Sequence, residues 1–341
     1  MRKETDLMKR LTLVLVAAAA LFLSHAQAQR VNLLCSPDLA WCEALGPAFT
    51  EATGIPLEFI RVSSQDALAR IRAESANPVF DVWFGGTGDP HLIAMRDGVA
   101  EMYIPSTWDD IIPELKSVIN EEYIPLYAGA IGFVINEEAL GDLPLPRSWR
   151  DLTDPMYRGL IAMPDPTSSG TAYTTLATLL QVFGEEDGWE LVEGIHMNVA
   201  QYTSSGSAPG QLAGRGEVAI AIQFMHDGVK FAAQGFPLTV FAPEEGVGYE
   251  IGGISLIANA PNRDAAIAFI EWALTPEAQA IAGELGDSYQ IQSNMNTVQH
   301  PLAPNFDEIN LIEYDFDRWG DPAVRDQVLT RWLNDVFAIP R

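Results

Sequence analysis

Two long extended runs, residues 123–136 and 247–258, constrain this chain more than any other feature in it. The first holds Gly129 and Gly132, which would allow close backbone contact. One set of strand and helix patterns precedes this run, and a second set lies between the two runs. Two α/β sets joined by two long strands give the layout of a clamp: the chain leaves one lobe, builds another and returns. Hinges of this kind close around ligands. The competing layout is two independent domains in series. It fits less well, because the segment after Glu250 supplies apolar helices without a full sheet of its own.

Within the first set, residues 31–35 read as a buried strand, 38–52 as a helix ending at Gly54, and 56–62 as a strand. A helix over 64–75 and a strand over 79–84 follow, the latter ending in Gly85-Gly86-Thr87-Gly88. Strands that alternate with helices of this length argue for parallel α/β layers. Ligands of open α/β sheets gather where strands end and helices begin. Ser36, Gly86 and Thr87 are therefore candidate cleft contacts, together with Trp83. The second set contains a strand over 160–163, a helix opened by residues 166–171 and running to about 183, and a strand over 218–224 that ends in His226-Asp227. Helices are expected over 262–274, 276–285 and 322–337. The expected division is a removed segment over 1–28, lobe one over 29–126, lobe two over 127–249, and a return to lobe one with C-terminal helices over 250–341.

The removed segment is read from the N-terminus. Arg2, Lys3, Lys9 and Arg10 precede an apolar stretch over 11–23, and Ala26-Gln27-Ala28 supplies a small-x-small cleavage pattern. That order is a secretory signal peptide, cut after Ala28. The stretch falls short of the ~20 residues of a spanning helix. A chain of 341 residues then has length for two domains or lobes of ~150 residues each. Its formal charge of −26 repels nucleic acid and anionic membrane, so neither is an expected partner. The chain has two cysteines, Cys35 and Cys42, and an exported protein permits them to pair. Two reduced core thiols are the alternative. A lone pair without nearby histidine is a poor metal site.

Residues 166–171, Pro-Thr-Ser-Ser-Gly-Thr, place small hydroxyl residues where a helix starts. A helix N-terminus offers free N–H groups and partial positive charge, hence an anion site. Ser168, Ser169, Gly170 and Thr171 are the candidates, and ordinary capping is the plain alternative. Ser205 and Gly206 belong to a second such start, over 202–210. His226, Asp227 and Glu250 could face the cleft and accept hydrogen bonds from sugar hydroxyls, or be surface charges. Trp41, Trp83, Trp108 and Tyr127 could offer an aromatic face to a sugar ring, although core packing is the commoner fate of such residues. No hydrolase elbow, zinc-protease helix or metal-spaced cluster occurs, so no catalytic residue, metal or cofactor is expected.

Residues 81–91, Asp-Val-Trp-Phe-Gly-Gly-Thr-Gly-Asp-Pro-His, resemble periplasmic solute-binding proteins of the ferric-iron-binding type. So do residues 127–132, 168–173 and 249–252. The resemblance implies a type II periplasmic-binding fold of two α/β lobes with two hinge strands. It also implies a periplasmic receptor, monomeric, that hands a small molecule to an inner-membrane ABC permease. Iron binders of the family use two adjacent tyrosines, whereas here Tyr202 is followed by Thr203. The chain is more similar to the hexose-phosphate branch. In that branch a Ser/Thr-rich helix start holds the phosphate, matched by residues 168–171, and His-Asp plus a later Glu hold the sugar, matched by His226, Asp227 and Glu250. Ferric iron, with Tyr202 and Glu250 among its oxygen ligands, and other small anions such as phosphonates or carboxylates are the alternatives.

Overall fold

In the computed structural model, which describes residues 30–341, the first long run is a single strand, Ile124–Asn136, with all 13 residues buried. The secretion signal and its cleavage site lie outside the described residues. The eleven strands among the described residues are β1 Val31–Cys35, β2 Leu57–Arg61, β3 Val82–Phe84, β4 Ala100–Glu101, β5 Ile124–Asn136, β6 Ile161–Pro164, β7 Val199–Thr203, β8 Ile220–Phe224, β9 Leu238–Phe241, β10 Tyr249–Ile257 and β11 Ile291–Gln292. The helices used below are α1 Leu39–Thr53, α2 Ser64–Glu74, α3 Gly88–Arg96, α4 Gly170–Phe183, α5 Glu185–His196, α6 Ala208–Gly214, α7 Met225–Ala233, α8 Arg263–Ala273, α9 Pro276–Glu284, α10 Phe316–Trp319 and α11 Pro322–Arg331.

Strand β5 belongs to two sheets. Its first half pairs antiparallel with β10 and β11, and its second half pairs antiparallel with β8 and β9. The first sheet runs β2-β1-β3-β10-β5, with β1 parallel to both β2 and β3. The second sheet runs β5-β8-β6-β7, with β6 parallel to β7 and β8. β5 carries the chain out of the first lobe and β10 carries it back, which is the type II arrangement of two α/β lobes on two crossing strands. Both positions at which the sequence divides the lobes, 126/127 and 249/250, fall inside these strands. The first lobe packs Leu33, Phe49, Phe84, Ile254 and Phe269 on one face of its sheet, and Leu34, Leu68, Trp83 and Ile93 on the other. Covering both faces with helices explains why the inner strands β1 and β3 are almost wholly apolar.

Helix α4 is buried around its whole circumference over its first eleven residues, as a helix enclosed on all sides must be. It is enclosed partly by the C-terminus. Trp319, Val328, Trp332 and Val336 share a core with Tyr173 and Trp189, so the last helices pack on the second lobe. Tyr173 donates to the Trp319 carbonyl at 2.8 Å. The same segment touches the first lobe, where Arg96 pairs with Asp317 at 3.2 Å. Cys35 and Cys42 form a disulfide with Cα atoms 6.1 Å apart, tying the end of β1 to the first turn of α1.

Candidate functional site

Six helices begin at one cavity between the lobes. The residues at their starts are Asp38 (α1), Ser63 (α2), Thr87 (α3), Ser169 (α4), Ser207 (α6) and Phe224 (α7), and all six line it. The topology produces this convergence: in parallel β-α units every strand ends, and every following helix begins, on the same side of its sheet. None of the six start residues caps its own helix with a side-chain hydrogen bond. The first-turn N–H groups are thus not satisfied by their own side-chain caps. Each helix of useful length adds about half a positive charge at its N-terminus.

The cavity is about 50 Å³, and the two lobes touch around it. Ser63 Oγ donates to the Ser204 carbonyl at 2.9 Å, Arg61 reaches Ser205 Oγ at 3.3 Å, and Ser207 Oγ donates to Asp38 Oδ1 at 2.7 Å. Lys230 Nζ from α7 meets Asp38 Oδ2 at 2.7 Å, with both side chains about seven-eighths buried. A Cβ on Gly170 would run into the Thr87 side chain of the opposite lobe, so glycine is what lets α4 approach α3 this closely. Gly86, at φ +91°, makes the left-handed turn that brings Thr87 N within 3.1 Å of Ser64 Oγ. The molecule is therefore in a closed form.

Two chemical groupings share the cavity. The first is rich in hydroxyls: Ser36, Ser63, Ser64, Thr87, Ser169 and Thr171, with Gly206 packed against Thr171 and Ser169. Among the described residues Arg61 is the one arginine or lysine on the wall. It sits at the end of β2, its Nε donating to the Pro37 carbonyl at 3.1 Å. The second grouping is His226, Asp227 and Glu250, gathered around Gly129, where a Cβ would strike the His226 ring. Burial pushes Asp227 well above the ordinary carboxylate range, and the charge of Asp38 adds to the effect. Burial likewise raises Glu250, helped by the charges of Asp227 and Asp89. Burial also opposes ionisation of Asp38, but the Lys230 ammonium and the hydrogen bonds from Lys230 and Ser207 outweigh it and hold this carboxyl below its usual value. Burial pushes His226 down to about 3, so its ring is neutral and the 3.7 Å approach to Asp227 is not an ion pair.

The structure brings most of the sequence candidates to this cavity and leaves some outside it. Ser36, Gly86, Thr87, Ser169, Gly170, Thr171, Gly206, His226, Asp227 and Glu250 line it. His226 and Asp227 occupy the first turn of α7 rather than a strand end. Ser168 is turned away and donates to the Ser204 carbonyl at 3.2 Å, and it is Ser207, not Ser205, that meets the cavity. Trp83 lies behind the wall. It is fully buried, stacked on His91, and holds Ser36 Oγ through its indole N–H at 2.9 Å. Trp41 packs edge-on against Phe84, and Trp108 lies under Lys116, so of the four aromatic candidates only Tyr127 reaches the cavity. Tyr202 points into the second lobe, where His196 Nδ1 lies 2.9 Å from its hydroxyl and Arg341 covers its ring. It therefore contributes no oxygen to the cleft. Arg61, Asp38, Lys230 and Gln290 were missed by sequence reasoning. Only the position of Asp38 ahead of a helix offered a signal.

Two lobes on two crossing strands, closed over a cleft where helices begin, define a ligand-capturing binding protein. Residues 94–310 match the family model described as bacterial extracellular solute-binding protein, and the chain belongs to that family. It is similar to an uncharacterized protein of Haemophilus influenzae, 38% identical over 331 residues, which cover 95% of this chain and 96% of that one. Among solved structures it is similar to the periplasmic binding protein AfuA from Actinobacillus pleuropneumoniae with exogenous fructose-6-phosphate bound. That match has 36% identity and a TM-score of 0.87 and covers 91% of this chain and 99% of the other. The periplasmic binding protein P5PA matches at 32% identity and a TM-score of 0.87, covering 90% and 99%. The protein is thus a periplasmic substrate-binding protein of an ABC importer, a receptor rather than an enzyme.

Proposed function

We propose that the ligand is a phosphorylated monosaccharide, a hexose phosphate, held in the interlobe cavity by a monomeric receptor that is released from its signal peptide after Ala28. The phosphate lies among the helix starts, against Ser169, Gly170, Thr171 and Gly206, with Arg61 as its counter-charge. The sugar hydroxyls donate to Asp227 and Glu250 and meet His226. The observation that carries this reading is the convergence of six uncapped helix starts on the same cavity as two carboxyls that, among the described residues, form no ion pair with a lysine or arginine. The helix starts suit an anion; the carboxylates suit a donor-rich group. A neutral sugar would leave the positive ends unused, and a bare phosphate would leave the buried Asp227 and Glu250 carboxyls without hydrogen-bond partners. The fructose-6-phosphate bound by AfuA supports the same class.

Calorimetry with glucose 6-phosphate, fructose 6-phosphate, free glucose and inorganic phosphate tests it. A hexose phosphate should bind far more tightly than either half alone, and at 100 times its Kd it should add ~2.7 kcal/mol of stability. Equal affinity for glucose and glucose 6-phosphate would reject the phosphate cradle.

A further inference from the structure

A second cavity, about 310 Å³, lies beside α9 in the first lobe. One residue, Gln290, is common to its wall and to that of the ligand cavity. The Gln290 side chain is 5% exposed, and its Oε1 accepts from Ser288 Oγ at 2.6 Å, which fixes the amide plane. Among the described residues Nε2 has no hydrogen-bond partner, so the amide keeps a free donor end between the cavities. The second cavity has a mixed wall: Ser288, Gln292, Asn296, Gln299 and His300, with Glu277 and Glu284, stand among apolar atoms of Pro276, Ala280, Val298 and Pro301. Among the described residues it has no lysine or arginine. Its chemistry suits an uncharged, hydroxyl-bearing group and is unsuited to a second phosphate.

We propose that Gln290 is a specificity-determining residue that sets the length of the ligand. It stands as the partition between the small ligand cavity and the larger cavity beside it, so that one phosphorylated sugar unit fits and a second glycosyl unit is shut out. This rests on the reading of the ligand as a sugar phosphate. On this proposal the separating element is the Gln290 side chain, held by one serine hydroxyl, so truncating it would join the two spaces without moving a strand. The joined space would admit a disaccharide phosphate with its phosphate at the helix starts and its second ring among the amides.

The test compares glucose 6-phosphate with trehalose 6-phosphate, in which the second glucosyl unit is attached at the end remote from the phosphate. Calorimetry is run on the parent, Gln290→Ala and Gln290→Met, each first shown folded by circular dichroism and melting temperature. The parent should prefer glucose 6-phosphate by at least a hundredfold. Gln290→Ala should narrow that preference at least tenfold, by gaining trehalose 6-phosphate. Gln290→Met keeps the bulk and loses the amide, so it should exclude the disaccharide as the parent does. An unchanged preference in a folded Gln290→Ala that still binds glucose 6-phosphate overturns the partition alone. A Gln290→Met that opens like Gln290→Ala also overturns it, because loss of the donor and not of the wall would then be the cause. A parent that binds neither phosphate ester overturns the underlying ligand reading and the partition with it.

Discussion

Replacing Lys230 with Met should weaken ligand capture far more than it weakens the fold. Lys230 stands on α7 in the second lobe and Asp38 at the start of α1 in the first, 2.7 Å apart and largely buried. The pair exists only while the lobes are together. Removing one partner of a buried ion pair costs about 3–5 kcal/mol, because the other charge is left in a poor environment. Here the molecule can escape that cost by opening, which returns Asp38 to water. The penalty therefore falls on the closed form, and the apparent affinity drops by the lost closed fraction. With ~1.4 kcal/mol per tenfold, the upper range is a hundredfold to several thousandfold. The ligand-free melting temperature should move little. The double variant Asp38→Asn with Lys230→Met should recover much of the loss, since a neutral pair leaves no stranded charge. Titration calorimetry with glucose 6-phosphate, arranged as a double-mutant cycle, measures the coupling. A Lys230→Met protein that binds within threefold of the parent would refute the argument.

Three further outcomes follow from the same geometry. Asp227 and Glu250 have raised values in the closed form and approach ordinary carboxylates when the cleft opens, so closing takes up protons. Binding should tighten as pH falls from the raised values toward the ordinary range near ~4 and weaken as pH rises through them; equal proton uptake by the parent and Asp227→Asn, read from calorimetry in buffers of different ionisation heat, would contradict this. Gly170→Leu places side-chain atoms where Thr87 sits in the closed form, and overpacking of 1–3 kcal/mol predicts a loss of about ten- to a hundredfold in hexose-phosphate affinity with the fold intact by circular dichroism. Opening the Cys35–Cys42 link by Cys35→Ala with Cys42→Ala should cost about 2 kcal/mol of stability in chemical denaturation and loosen the turn that carries Ser36, Pro37 and Asp38, whereas the denatured, unreduced parent should show no free thiol.

By itself the sequence determined the two-lobed design. The runs that became β5 and β10 favour two lobes on shared strands over two domains in series, and the alternation of strands with helices already implies parallel layers. Because parallel layers put all helix starts on one side of a sheet, Ser36, Thr87 and Ser169 could be placed at the cleft from their positions alone. His226, Asp227 and Glu250 stood as cleft candidates beside the plainer reading of surface charges, and only the family resemblance joined them as one sugar site. The tertiary structure alone decided how those groups are completed. Arg61 ends a strand whose pattern marks it as ordinary, and it is held at the cavity by the Pro37 and Ser36 carbonyls of a loop 24 residues and more before it. Asp38 and Lys230 are 192 residues apart and have no local reason to meet. Trp83 shows the opposite error. In a sheet covered on both faces, every side chain of β3 is buried, so alternation carries no information about which face meets the ligand. Its indole went to His91 and Ser36 instead. Tyr202 was likewise lost to the cleft because His196 at the end of α5 meets its hydroxyl, and the C-terminal segment, folding back on the second lobe, adds Trp332 and Arg341 as neighbours. Local pattern fixes where a helix begins; which side chains stand opposite that start depends on contacts between residues far apart in the chain, which no local spacing encodes.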